Sequence, residues 1–240
     1  MSTSPSVYPL QLEGELGTQL SRWRWLVKWF LLIPHWIVLF FLWIGVVAST
    51  VIAFFAILFT GRYPRGLFDF AVGVLRWTWR VAFYSYSALG TDRYPAFSLA
   101  DDAAYPARLE VEYPAGLSRG LVLVKWWLLA LPHYLVVAVF AGVGWSAASS
   151  RTDSIYGLVG GGLIGLLVMF AGIALLFTGR YPETLYSFVM GMNRWVFRVA
   201  AYSLLMTDSY PPFRLDMGGS EPPAGGASGE ASAPVPVPTG

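Results

Sequence analysis

Six arginines sit where they could gather negative charge. Arg62 and Arg180 belong to two copies of the phrase Phe-Thr-Gly-Arg-Tyr-Pro, at 59–64 and 177–182, each at the end of a long apolar run. Arg76 and Arg80 follow the first copy and Arg194 and Arg198 the second, at matching places. A guanidinium presents five donors in a planar fork that suits phosphate, so the set could hold an anionic lipid headgroup or an anionic substrate. Basic residues at the edge of an apolar segment also anchor it without selectivity, and that plainer role is the expectation here.

His35 and His133 are the two histidines, and each follows a proline. Brought together across a two-fold axis, they could ligate a haem iron. With no cysteine in the chain and no carboxylate nearby they make a poor metal set. The expectation is an interfacial imidazole satisfied by backbone or headgroup, with no metal and no cofactor. The chain carries no glycine-rich phosphate loop, no nucleophile elbow and no zinc-peptidase helix motif. Asp69 and Glu183 fall at different offsets in the two copies, which argues against a paired-carboxylate mechanism. The sequence therefore predicts a protein that is not an enzyme.

The elements that position these residues come as a duplication. Pro34-His35 answers Pro132-His133, Arg76-Trp77 answers Arg194-Trp195, and Arg80, Tyr84 and Thr91-Asp92 answer Arg198, Tyr202 and Thr207-Asp208. With 56% hydrophobic, 17% aromatic and 12% charged residues, the chain has too little polar surface for a soluble domain of its 240 residues. A net charge of +2 suggests no nucleic-acid partner, and the expected partners are membrane lipids. Zero cysteines exclude disulfides and leave the redox compartment open. Pro5, Pro9, Glu13 and Glu15 leave the N-terminus without the apolar core of a signal peptide.

In the second copy, Leu121 to Val143 and Leu158 to Phe177 read as two spans divided by a polar loop over 145–156. Roughly 20 apolar residues cross a bilayer. The first copy runs from Leu26 to Phe59 without such a divider. As one helix it would be about 50 Å long, well beyond the roughly 30 Å of hydrocarbon. Arg22, Arg24 and Lys28 precede the run, and Arg62 and Arg65 follow it. The positive-inside rule puts both ends in the cytoplasm, which implies an even number of crossings and a turn near Gly45 to Thr50. One strongly tilted span is the rival.

Trp23, Trp25, Trp29, Trp36 and Tyr63, with Trp126, Trp127, Tyr134 and Tyr181, read as interfacial belts. In the Thr-Gly-Arg-Tyr-Pro phrase, Gly should end the spanning helix in a left-handed cap and Pro should open the next one. Thr91-Asp92 and Thr207-Asp208 should form turns in which Asp accepts from nearby backbone. The segments 66–89 and 184–206 are apolar with a narrow polar stripe, Asp69, Gly73, Arg76, Arg80, Tyr84 and Ser87 in the first. That pattern predicts basic amphipathic helices lying in the interface, with buried Arg-bearing spans as the alternative. Alternation at 105–113, and more weakly at 10–13, predicts strands of a small sheet outside the membrane. Phe97-Ser98-Leu99 and Phe213-Arg214-Leu215 are further candidates. Gly160-Gly161-Gly162 fits close helix packing.

The fold expected is thus an all-α membrane protein with minor β. It has two tandem repeats, 1–100 and 101–216, each a transmembrane helical hairpin with an interfacial amphipathic helix and short extramembrane strands. A disordered Gly, Pro, Ser and Ala tail at 217–240 follows. Placement is multi-pass in the cell membrane with both termini cytoplasmic. The phrases Phe-Thr-Gly-Arg-Tyr-Pro-Arg-Gly-Leu-Phe-Asp-Phe at 59–70, Val-Leu-Arg-Trp at 74–77 and Thr-Asp-Arg-Tyr-Pro at 91–95 resemble a bacterial membrane family known as domain of unknown function 4389. The second half carries Glu183-Thr184 for Arg65-Gly66 and Ser209 for Arg93. The resemblance implies an integral membrane protein and brings no activity or catalytic residue with it. The functional expectation is a noncatalytic membrane scaffold or anionic-lipid-interacting protein. A small transporter or channel component stands second, and a membrane haem protein or enzyme third.

Overall fold

A computed structural model describes residues 8–17, 20–142, 162–213 and 215. Strand β1 (Leu10–Gly14) leads to helices α1 (Lys28–Thr60) and α2 (Arg65–Tyr84). Strand β2 (Ala107–Val111) opens the second half. There follow α3 (Leu121–Val124), a π-helical turn at Lys125–Leu129, and helices α4 (Leu131–Ala141), α5 (Gly162–Thr178) and α6 (Glu183–Ser203).

The first repeat corrects the expected hairpin within the apolar run, because α1 is one unbroken helix of 33 residues. Nothing at 45–50 turns the chain. The hydroxyls of Ser49 and Thr50 donate to the carbonyls of Gly45 and Val46 at 2.7 and 2.8 Å, so the helix satisfies its own polar residues. Gly45 instead lets the ring of Phe70 close on α1.

The second repeat keeps the same helix in two pieces. Leu131–Ala141 and Gly162–Thr178 match Ile33–Thr60 residue for residue, with 142–161 inserted between them. The pieces do not lie side by side as two spans would. A Cβ on Gly162 would stand 2.3 Å from the Gly142 nitrogen and 2.8 Å from the Ala141 carbonyl carbon, so α5 begins where α4 stops. Its buried Ile164, Ala171 and Leu175 repeat the stripe of Val46, Ala53 and Ile57 on α1. The polar divider predicted at 145–156 and the tail at 217–240 lie outside the described residues. One further residue separates Lys125 from Pro132 relative to Lys28 and Pro34, and the π-helical turn absorbs it.

Each hairpin that does form joins the long helix to the Arg-bearing one through Gly-Arg-Tyr-Pro. Gly61 caps α1 at φ 72°, its N–H reaching the Ile57 carbonyl at 2.7 Å, and Gly179 repeats this on α5 at φ 71°. Pro64 and Pro182 take the N-cap positions of α2 and α6.

The Arg-bearing helices are the middle layer of the protein, which corrects their expected place in the interface. Phe70, Trp77, Val81 and Tyr84 turn one face of α2 to α1. Phe68, Val72, Arg76, Trp79 and Phe83 turn the opposite face to the sheet and the segments beside it. Strands β1 and β2 pair antiparallel, Leu12 opposite Leu109, and join the two repeats. Leu10, Leu12, Ala107 and Leu109 point inward, while Gln11, Arg108 and Glu110 are exposed on the outer side. Phe97–Leu99 forms no strand.

Candidate functional site

The two halves repeat their contacts about a pseudo-two-fold axis. Trp79 meets its counterpart Phe197 there, ring centroids 5.4 Å apart. The repeats also exchange ends. Trp25, at the start of the first, packs on Gly172 of α5, while Trp126 and Tyr134 of the second border a groove with Val47 and Phe55 of α1. The long helices α1 and α4–α5 therefore run antiparallel to each other.

Outward, these helices are apolar almost throughout. Phe40, Phe41, Ile44, Val47, Ile52, Phe55 and Phe59 are exposed on α1, as are Leu135, Val139, Phe170 and Phe177 on α4 and α5. Among the described residues one helix, α1, is long and apolar enough to cross a membrane, or two if Leu121–Leu129 and α4, bent by 43° at their junction, count as one span. Of the most apolar eighteen residues of α1, 22% are buried, so most of this apolar surface is exposed. Trp23, Trp29, Trp36, Trp126, Trp127 and Tyr134 are exposed as belt residues should be. Tyr63 and Tyr181, expected among headgroups, are buried instead. The Tyr181 hydroxyl donates to the Ala88 carbonyl at 2.9 Å, and burial pushes the Tyr63 hydroxyl up to about 12.

The six arginines divide into two groups. Arg62 and Arg180 stay exposed at the two Gly-Arg turns, and each turn receives a second exposed arginine from the other repeat. Arg119 Nε lies 3.5 Å from where a Cβ on Gly61 would stand, and the guanidinium of Arg22 lies 2.6–2.9 Å from that point on Gly179. Cations there also face the carbonyl end of a helix dipole. Arg22 and Arg119 are thus site residues that spacing along the chain did not reveal as partners of Arg180 and Arg62.

The other four arginines look inward and tie the fold. Arg76 donates from Nε to the Leu109 carbonyl at 2.9 Å, and Arg194 to the Leu12 carbonyl at 2.8 Å. Arg80 donates to the carbonyls of Ser98 and Ala100. Arg198, 8% exposed, holds its guanidinium 5.4 Å from the Tyr8 ring. Buried carbonyls of strands and turns need donors, and a guanidinium can serve several at once. The arginines of the polar stripe, read as headgroup contacts in the membrane interface, make these contacts within the protein.

His35 and His133 are enclosed in separate aromatic cages. Phe97 stacks on His35 at 3.9 Å and Phe213 on His133 at 4.3 Å. Trp77 and Trp195 donate to the two Nδ1 atoms at 3.0 and 3.1 Å. Each neutral ring therefore carries its proton on Nε2 and offers no free lone pair to iron. Among the described residues no cluster of three His, Asp or Glu could hold a metal.

A pair of buried ion pairs went unread in the sequence. Lys28 Nζ reaches Asp92 at 2.9 Å and the Thr91 carbonyl at 2.7 Å, and Lys125 reaches Asp208 at 2.7 Å and the Thr207 carbonyl at 3.0 Å. The same aspartates accept from the distant backbone N–H of Ser21 and Ser118 at 2.6 Å. The signal was present, since these are the two lysines among sixteen basic residues and they hold equivalent places.

A family described as a domain of unknown function (DUF4389) matches residues 22–98 and 155–214. No curated protein matches the chain, and no solved structure matches it.

Proposed function

The chain belongs, in both of its halves, to the DUF4389 family, and from that premise we propose that it is a noncatalytic membrane scaffold whose apolar face meets lipid and whose Arg62 and Arg180 bind anionic headgroups. The observation that carries this reading is the outer face of α1, apolar along its length and unpartnered, with arginines at both ends. At roughly 25 cal/mol per Å², each 400 Å² of such a face removed from water is worth about 10 kcal/mol. Faces of that size mark contact with a membrane or a protein. The arginines at its rim favour lipid, where a basic side chain near an anionic surface contributes about 1 kcal/mol. A groove of about 390 Å³ between the repeats, lined by Val47, Val51, Phe55, Trp126 and Leu205, suits an acyl chain.

The test is lipid retention. Protein reconstituted in equal phosphatidylcholine and phosphatidylglycerol and then repurified should retain the anionic lipid in excess. Arg62→Ala with Arg180→Ala should erase about thirty-fold of that preference, on the scale of 1 kcal/mol per side chain. Retention equal to that of the unaltered protein would remove the headgroup role.

A further inference from the structure

We propose that the protein lies flat in a single leaflet, α1 and α4–α5 immersed side-on and the two-stranded sheet facing water, a geometry that rests on the reading of the apolar face as lipid-facing. Four observations carry it. First, α1 is continuous, so it cannot cross twice, yet arginines stand at both of its ends: Arg22 and Arg24 before it, Arg62 and Arg119 after it. Both ends on the cytoplasmic side require an even number of crossings, and a helix that lies in the plane makes none.

Second, the layers are stacked in one order. The sheet covers one face of α2 and α1 covers the other, so the exposed side of α1 points away from the sheet. Third, the sheet stands over the middle of the inner helices, since its carbonyls receive Arg76, Trp79 and Arg194. Were the helices upright in a bilayer, the exposed Arg108 and Glu110 would sit at mid-membrane, where a charge costs about 2.5–3.5 kcal/mol or more. Fourth, the pseudo-two-fold sets α1 and α4–α5 antiparallel on the same side of the protein, so one plane serves both apolar faces and both arginine pairs. Exposed Trp29 and Trp36, seven residues apart and so nearly in line on α1, then lie along one interface, as amphipathic in-plane helices place them.

The chain has no cysteine, so single cysteines report cleanly. Arg24→Cys, Ile44→Cys, Arg65→Cys and Glu110→Cys are labelled with an impermeant maleimide in right-side-out and inside-out membrane vesicles. Positions 24, 65 and 110 should react from one side only, and the same side for all three. Position 44 should react from neither, and nitroxides at 44 and 55 should report one shallow depth. Opposite-side labelling at 24 and 65, labelling of 44 from the far side, or a nitroxide at the bilayer centre would each overturn the flat geometry while leaving lipid contact standing. Protein that washes from the membrane at high salt and high pH would overturn both readings together.

Discussion

The Nε of Arg76 donates to the main-chain oxygen of Leu109, 2.9 Å away, and so fastens the inner helix of one repeat to the strand that opens the other. Arg194 returns the favour at Leu12. Each repeat is closed by a strand it does not itself contribute, and the guanidinium groups first read as lipid contacts are the fasteners.

Replacing Arg76 or Arg194 by Met should therefore act on stability and leave headgroup preference alone. A charge-assisted hydrogen bond lost from a half-buried carbonyl costs about 1.5–3 kcal/mol. Thermal unfolding in detergent should register that loss for either variant, with phosphatidylglycerol retention unchanged. A selective loss of anionic lipid with an unchanged melting temperature would return these arginines to the surface.

The buried lysines make a sharper prediction. Lys28 is 1% exposed and Asp92 lies against it, so Asp92→Asn strands a charge away from water. Breaking a buried pair from one side costs about 3–5 kcal/mol. Replacing both partners, Lys28→Met with Asp92→Leu, should recover part of that loss in the same unfolding measurement, since the pair's attraction mainly repays its own desolvation while the Ser21 N–H and the Thr91 carbonyl lose their partners.

Deleting residues 142–161 should leave a folded protein. The deletion joins Ala141 to Gly162, whose positions already abut, and restores the length of Ile33–Thr60. Helical circular dichroism of the described helices should persist and the melting temperature should hold within a few degrees. Loss of the folded state would show that α5 does not continue the line of α4.

Haem offered to the protein should give no bis-histidine spectrum. Trp77 and Trp195 already occupy the Nδ1 atoms, and Phe97 and Phe213 cover the rings. A low-spin Soret band that vanishes in His35→Ala would contradict the cages.

Much of the local structure could be read from residue order. Gly61 and Gly179 cap where the Thr-Gly-Arg-Tyr-Pro phrase demands it, and alternation at 105–113 does yield a strand that joins the copies. What periodicity cannot specify is the occupant of a face. The stripe through Arg76 and Arg80 has the spacing of a wet surface, and main-chain oxygens far along the chain supply the polar partners that water would have supplied. Hydropathy likewise measures an apolar run without its direction, so α1 had the composition of two spans and the geometry of one rod. Lys28 and Asp92 were both visible in the sequence, and only their distance was missing.

The exchange of strands leaves each half incomplete by itself. Half of this chain, expressed alone, would possess a helix pair and an orphan ribbon edge, and its arginine would find no carbonyl to hold. It could complete itself only by embracing a twin, so the covalent link between the halves supplies a partner that a separated half would have to meet by collision.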